Sequence, residues 1–191
     1  MRRGELTALK CSDLDWNLGT LRVQRQVQRV TGQGMVFMPP KTKAGRRTIK
    51  LGEGTLHVLR KQKARQQLDR AVAGKRWQEM GLIFTSKVGT PLSSPNVLQE
   101  FKALLEVAGL RKIRFHGLRH TAASLMLNHG IPALVVSKIL GHSKPSTTLD
   151  IYGHLIPFMQ DGVANLMDEL VTPVPVEMGE SVDLPVLSKG S

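Results

Sequence analysis

Apolar and polar side chains alternate in short runs over the first third of the chain, and turn residues separate these runs. The alternation is clearest over residues 21–30, where its period of two is that of a half-buried strand. A glycine-containing turn leads to a second run at residues 35–38, and residues 46–51 form a third. These patterns predict a small three-stranded antiparallel sheet.

Most of the remaining apolar side chains are spaced as in helices. Residues 1–10 have the pattern of the second half of a helix, and residues 54–72 predict a long amphipathic helix. Ser94-Pro95 marks the start of a helix that runs to about Ala108. A short apolar run at residues 82–84 predicts one more buried strand. The predicted fold class is therefore α+β and mainly α-helical.

Prolines near helix starts and glycines after helix ends divide the second half of the chain. The predicted helices there cover residues 116–130, 132–141, about 143–153 and 158–170. From Thr172 the sequence is acidic, contains Pro, Gly and Ser, and has no periodicity. The predicted organisation is one domain, residues 1–171, followed by a flexible, disordered tail, residues 172–191.

The charge of the chain is large and unevenly placed. There are 27 Lys and Arg residues against 15 Asp and Glu residues, a net charge of +12. Because one basic and six acidic residues lie from Leu155 onward, residues 1–154 hold 26 basic and 9 acidic residues, or +17. Such an excess predicts a polyanion partner that is bound in a salt-sensitive manner. The alternative is a basic protein whose charge only maintains solubility.

The cysteine count and the hydropathy pattern narrow the class of protein. A single cysteine, Cys11, excludes an internal disulfide and a cysteine-based zinc site. No apolar run approaches the roughly 18 residues of a membrane span, and the N-terminus has no secretory apolar segment. We therefore expect a cytoplasmic protein without a membrane partner.

Four side chains in the second half suggest phosphate chemistry. His116 and Arg119 are three residues apart and share a helix face, His142 follows a helix end, and Tyr152, the only tyrosine, comes ten residues later. A cation, two imidazoles and a phenol would suit attack of an oxygen nucleophile on a phosphate ester. Ordinary alternatives are open for all four, because His-x-x-Arg often occurs by chance, a histidine is more often a surface or core residue, Leu140-Gly141-His142 could be only a helix cap, and Tyr152 could only anchor a helix.

The same region has the outline of a helix-turn-helix DNA reader. On that interpretation residues 143–150 would enter the major groove, and Tyr152 would only pack. His120 is interpreted as structural, whereas His154 stays open as a residue that supports the site. The helix-turn-helix interpretation requires neither a basic loop a hundred residues earlier nor an arginine at the start of the chain.

A basic segment, KTKAGRR, joins the second and third predicted strands. It carries four candidate DNA-binding residues: Lys41, Lys43, Arg46 and Arg47. Two interpretations are open. The segment is either a solvated hairpin tip or a ribbon end shaped to enter a DNA groove.

Five motifs follow one another in an order that is typical of one protein family. They are Arg2-Arg3-Gly4-Glu5-Leu6, Lys43 in a β-turn, His116-x-x-Arg119, Leu140-Gly141-His142 and Tyr152. Over about residues 1–155 the chain thus resembles the catalytic domain of tyrosine recombinases, the phage integrase family. The resemblance implies site-specific DNA recombination, the integration or excision of a mobile element, through a 3′-phosphotyrosyl intermediate.

The resemblance also implies a role for each matching residue. The implied catalytic residues are Tyr152 as nucleophile, Arg2 and Arg119 as phosphate clamps, His116 in proton transfer, His142 as a donor to a phosphate oxygen, and Lys43 as the acid for the leaving 5′-oxygen. Lys41 stays open as the alternative to Lys43. Glu5 is expected to orient its neighbours. The chemistry needs no metal or nucleotide cofactor, because the covalent link conserves the phosphodiester energy.

The implied assembly is a homo-oligomer, a tetramer on double-stranded DNA, in the full-length form. The family's N-terminal core-binding domain is not seen, and the catalytic motifs start at the second residue, so we expect a truncated copy of a longer integrase. The helix at residues 158–170 would either dock on a neighbouring protomer or cover its own core. The alternative functions are a type IB topoisomerase-like nicking and closing activity, a non-catalytic DNA-binding remnant and a helix-turn-helix module.

Overall fold

The structure, a computed structural model, describes residues 1–144 together with residues 146, 148 and 149. Five α-helices and five strands lie wholly within this part of the chain. The helices are α1 (Arg3–Leu6), α2 (Glu53–Ala73), α3 (Ser94–Val107), α4 (Gly117–Asn128) and α5 (Ala133–Leu140). The strands are β1 (Leu14–Asp15), β2 (Thr20–Val23), β3 (Gln26–Val30), β4 (Gly34–Met38) and β5 (Arg47–Lys50). The fold is α+β and mainly helical, as predicted.

The strands form two separate antiparallel sheets. One is three-stranded in the order β1-β2-β5, with Leu21 opposite both Leu14 and Ile49. The other is the hairpin β3-β4, in which Gln26 lies opposite Met38. The small three-stranded sheet is thus present, but it is not built from the three predicted strands.

The predicted strand over residues 21–30 is in fact two strands that pair with different partners. Leu21, Val23 and Val27 are all buried, so the alternation continues across the break. Arg25 occupies the next inward position and forms an ion pair with the buried carboxylate of Asp13. Alternation therefore identified the buried side chains correctly but did not reveal that the chain changes sheets.

The main core lies between α2 and the three-stranded sheet. Its buried members are Leu9, Leu14, Leu21, Leu56, Leu59 and Ile83. Residues 82–84, predicted as a strand, form only an isolated bridge between Leu82 and Lys10, next to a 2.9 Å hydrogen bond from the Ile83 amide to the Leu9 carbonyl. The N-terminal segment is likewise shorter than predicted, because α1 is a single turn.

A second core joins α4 and α5 through Ala123, Leu127, Val136 and Leu140. The predicted helix ends are confirmed, since both Gly130 and Gly141 have the left-handed backbone that favours glycine, with φ values of 75° and 72°. The packing of these two helices places the end of α5 beside β5.

Several predictions fall on residues outside the described part. Ser146, Thr148 and Leu149 are helical, in agreement with a helix that starts near Ser143. The rest of that helix, Tyr152, His154, the helix at residues 158–170 and the tail at residues 172–191 lie outside the described residues. None of the described helices is both long enough and apolar enough to span a membrane.

Candidate active site

Arg2 lies at the start of α1, where it is held by a buried carboxylate. The side chain of Glu5 accepts a 2.9 Å hydrogen bond from the Arg2 main-chain N–H at Oε2 and a 3.0 Å bond from Arg2 Nη1 at Oε1. Glu5 is only 1% exposed, whereas the Arg2 side chain is 41% exposed. Glu5 therefore orients the Arg2 guanidinium, which is still accessible to a ligand from solvent. The expectation that Glu5 orients its neighbours is confirmed.

Arg119 and His116 enter the site from the first turn of α4. The Arg119 side chain is buried, while His116 is exposed at the helix start. The rings of His116 and His120 meet edge to face, with 5.0 Å between their centroids. Partial removal of the ring from water lowers the pKa of His116, and the nearby charges of His120 and Arg119 lower it further. The lowered pKa favours the neutral form of the His116 imidazole.

His142 is placed by the left-handed turn at Gly141 that ends α5. Its main-chain N–H bonds to the Ser137 carbonyl at 3.1 Å, and its ring Nδ1 lies 2.8 Å from the hydroxyl oxygen of Thr148. Thr148 is fully buried. When the hydroxyl donates to Nδ1, the neutral ring carries its hydrogen on Nε2, which can donate to a bound ligand.

Burial lowers the pKa of His142 to about 4, and the charges of Arg119 and Arg2 contribute to the shift. Arg119 and Arg2 also lower the pKa of His116. The two arginines and two histidines therefore share one electrostatic environment, although they come from three distant segments of the chain. The structure brings together four of the six predicted catalytic residues.

The basic segment lies beside this group but not as the sequence predicted. It connects β4 to β5, which belong to different sheets, so it is not the tip of a hairpin; residues Lys43–Gly45 form a turn of 3-10 helix. A Cβ atom built on Gly141 would lie 2.9 Å from the Ala44 carbonyl oxygen. The segment that carries Lys43 thus packs against the turn that precedes His142.

The four basic side chains of this segment divide into two groups. Lys41, Lys43 and Arg46 are exposed. The Arg47 side chain is only 6% exposed and donates to acceptors within the protein. The prediction that Arg47 contacts DNA assumed an exposed side chain at a hairpin tip. That assumption is wrong, because the side chain points into the interior.

Next to Arg2 and His116 lies a cleft of about 820 Å³. Its basic lining residues are Arg2, Arg3, Arg29, Lys102, Arg114 and His116. Three of these, Arg29, Lys102 and Arg114, were not singled out from the sequence, where their only signal was the overall positive charge. Thr148 also carried no signal, because a threonine in a helix has no pattern that indicates a histidine partner.

Comparison with known proteins shows the family of the chain. Residues 1–157 match the phage integrase family. The chain belongs to that family. Among curated relatives, a protein named tyrosine recombinase XerC-like from Caldanaerobacter subterraneus subsp. tengcongensis is 33% identical over 181 residues, which cover 89% of this chain and 46% of the relative. The ICEBs1 integrase of Bacillus subtilis is 30% identical over 171 residues, 90% of this chain and 46% of its own.

Two solved structures show the same fold. The Tn1549 transposon integrase in complex with transposon right end DNA superposes with a TM-score of 0.73 at 24% identity, over 90% of this chain and 55% of that one. XerA recombinase superposes with a TM-score of 0.60 at 24% identity, over 91% and 54%. The chain spans less than half the length of the two curated relatives above, and a little over half of these two solved chains.

Proposed function

We propose that this phage integrase family member performs site-specific DNA recombination, with Tyr152 as the nucleophile that attacks a DNA phosphodiester. The observation that supports this most directly is the shared environment of Arg2, Arg119, His116 and His142, in which both arginines act on both histidines. Two fixed cations and two neutral imidazoles suit a phosphoryl group that gains negative charge in the transition state.

The two arginines would hold the phosphate from different sides. Arg2 is accessible yet oriented by Glu5, and Arg119 is fixed in the first turn of α4. A guanidinium stays protonated at any working pH and can donate to two phosphate oxygens at once. Such fixed donors stabilise the transition state without reorganising when the reaction occurs.

The two histidines would act in their neutral forms. The lowered pKa of His116 leaves its imidazole able to accept the Tyr152 phenol proton near neutral pH. His142 would donate from Nε2 to a non-bridging phosphate oxygen, with Thr148 holding Nδ1. Lowered pKa values therefore fit one histidine as a base and the other as a neutral donor.

In the cleavage step the phenol oxygen of Tyr152 forms a bond to phosphorus as the bond from phosphorus to the 5′-oxygen breaks. The phenol proton passes to His116, and Lys43 gives a proton to the leaving 5′-oxygen. Lys41 remains the alternative acid, because both lysines are exposed on the same segment. The reverse reaction with a new 5′-hydroxyl would complete strand exchange.

Double-stranded DNA is the proposed partner, and the cleft with its six basic lining residues is the proposed contact surface. We further propose that residues 1–171 form the catalytic domain with residues 172–191 as a flexible tail, that the working form is a homotetramer on DNA, and that it acts in the cytoplasm. The net charge of +17 over residues 1–154 supports a salt-sensitive DNA complex.

The test is a covalent-trapping assay with nicked DNA duplexes whose half-sites are randomised, so that no target sequence has to be known. A DNA adduct that survives denaturation, forms with the wild-type chain and is absent with Tyr152→Phe is the expected result. Because the chain has one tyrosine, any phosphotyrosyl link must be at this position. Salt-sensitive binding without an adduct would instead show a non-catalytic DNA-binding protein.

A further inference from the structure

We propose that Arg47 is a positioning residue, which fixes Arg2 and His142 relative to one another by binding Glu5 on one side and the end of α5 on the other. The proposal rests on the proposed function, because it concerns the geometry of the same site. Arg47 has no assigned part in the chemistry, and its side chain lies in the interior.

One guanidinium makes three hydrogen bonds to three separate segments. Arg47 Nη2 donates to Glu5 Oε2 at 2.9 Å, Nε donates to the Ile139 carbonyl at 2.7 Å, and Nη1 donates to the Gly45 carbonyl at 2.8 Å. With the side chain 6% exposed, these bonds are shielded from water. Arg47 therefore links α1, the basic segment and α5.

On the α1 side, Arg47 and Arg2 share one carboxylate. Burial alone would raise the pKa of Glu5, but the hydrogen bonds from Arg47 and Arg2 bring it below its ordinary value. Glu5 is thus ionised and bound by both arginines. A change in the position of Arg47 would move the carboxylate to which Arg2 is attached.

On the α5 side, Ile139 lies in the last helical turn, three residues before His142. Carbonyl groups in the last turn of a helix lack an intrahelical partner, and Arg47 supplies one. The approach is close, because a Cβ atom on Gly141 would lie 2.7 Å from Arg47 Nη1. Arg47 therefore fixes the turn from which the His142 ring projects.

A lysine at position 47 cannot make the three hydrogen bonds of Arg47. The planar guanidinium donates in three directions from separate nitrogens, whereas a lysine ammonium keeps the charge at one point and cannot span Glu5 and Ile139 together. Arg47→Lys thus preserves the local charge and removes the link. In enzymes a displacement of about 1 Å at the reacting groups can reduce the rate about 100-fold.

The chain offers a matched control in Arg25, which is likewise paired with a buried carboxylate, but with that of Asp13 and not with Glu5. We expect Arg47→Lys to lower the rate of adduct formation at saturating DNA by about 10- to 100-fold, with DNA affinity within about twofold of wild type. Arg25→Lys should lower the unfolding midpoint to a similar degree and leave the rate unchanged. Equal rate losses in both variants, or a loss that more DNA restores, would overturn the proposal.

A second readout separates this proposal from the proposed function. If the wild-type chain forms no adduct, the proposed function fails, and the imidazole ¹⁵N spectrum of the DNA-free protein decides about Arg47. The His142 signals, assigned with a His142→Gln variant, should shift in Arg47→Lys and stay in place in Arg25→Lys. Unchanged His142 signals in a folded Arg47→Lys protein would show that Arg47 does not position the ring.

Discussion

The Nδ1 atom of His142 lies 2.8 Å from the hydroxyl oxygen of Thr148, a residue that is fully buried. This contact sets both the orientation of the ring and the nitrogen that is left to face a ligand. The donor function proposed for His142 therefore depends on a threonine six residues further along the chain.

Replacing Thr148 by valine preserves the shape of the side chain but removes the hydroxyl. We expect the rate of DNA adduct formation to fall about tenfold and the free energy of unfolding to fall by about 1 kcal/mol, since a partly buried ring nitrogen loses its partner. Single-turnover cleavage and urea unfolding measure the two effects. Thr148→Ser keeps the hydroxyl and should cleave close to the wild-type rate; a Thr148→Val protein with the same rate would contradict the role of this contact.

Acid should destabilise the protein before its carboxylates titrate. The pKa of His142 is about 4 in the folded protein, against an ordinary value of about 6.5. Between these values the unfolded chain binds a proton that the folded protein does not, so stability present at pH 7 is lost as the pH falls. The lowered pKa of His116 acts in the same direction.

Thermal unfolding between pH 7 and pH 4.5 measures this loss as a fall in Tm. His142→Gln should show a shallower fall, because the titrating group is gone. His57→Gln, a change at an exposed position on α2, should retain the wild-type slope. A His142→Gln protein that is as acid-sensitive as wild type would show that the ring does not contribute.

Glu5→Gln should be among the most destabilising single substitutions at the site. The carboxylate is 1% exposed and neutralises Arg47, whose side chain would become a buried cation without its counter-charge. Breaking such a pair costs about 3–5 kcal/mol. Glu53→Gln is the matched control. The Glu53 side chain is 85% exposed and makes a loose ion pair with Arg60, at 3.7 Å, so the urea midpoint of this variant should equal that of the wild type. Similar midpoints for the two variants would contradict the buried pairing.

Gly141→Ala has two destabilising effects, backbone strain and a steric contact with Arg47. Gly130→Ala has only the first, so comparing the two variants separates them. Gly130 and Gly141 have nearly the same positive φ, so alanine is strained at both, by about 1–2 kcal/mol. At Gly130 an added Cβ meets nothing within 4 Å, whereas at Gly141 it meets Arg47 Nη1 at 2.7 Å. Gly141→Ala should therefore cost about 1–3 kcal/mol more in urea unfolding. Equal costs would mean that the contact with Arg47 gives way freely.

DNA binding through the basic cleft should depend on salt in proportion to the number of phosphate contacts. Arg29→Gln and Arg114→Gln each remove a cation from the cleft lining, and each should reduce the slope of log K against log salt by about one. Fluorescence anisotropy with a labelled duplex measures the slopes. Arg60→Gln on α2, outside the cleft, should leave the slope unchanged; an equal reduction there would place the DNA elsewhere.

Sequence patterns predicted where helices and strands lie better than they predicted which strands pair. The ends of α4 and α5 were predictable because Gly130 and Gly141 occupy a backbone conformation that few other residues adopt without strain. The change of sheets near Arg25 was not, since the inward alternation runs through it and only a contact with Asp13, twelve residues earlier, marks the position.

In the candidate site, too, local sequence predicted the positions of residues but not their distant partners. His116, Arg119 and His142 were found because their spacing places them at helix starts and ends. Arg47 was misplaced because a basic run contains no information about which of its side chains turns inward, and that choice depends on acceptors at Glu5 and Ile139.

The three-way contact of Arg47 also has a consequence for the order in which the protein forms. Two of its three partners are distant along the chain: Glu5 lies 42 residues before it and Ile139 lies 92 residues after it. A ribosome-bound chain that ends before α5 can pair Arg47 with Glu5 but cannot orient His142. Contacts of such long range form late in folding. The early basic segments of the nascent protein are therefore made and exposed well before His142 can take its place beside Arg2.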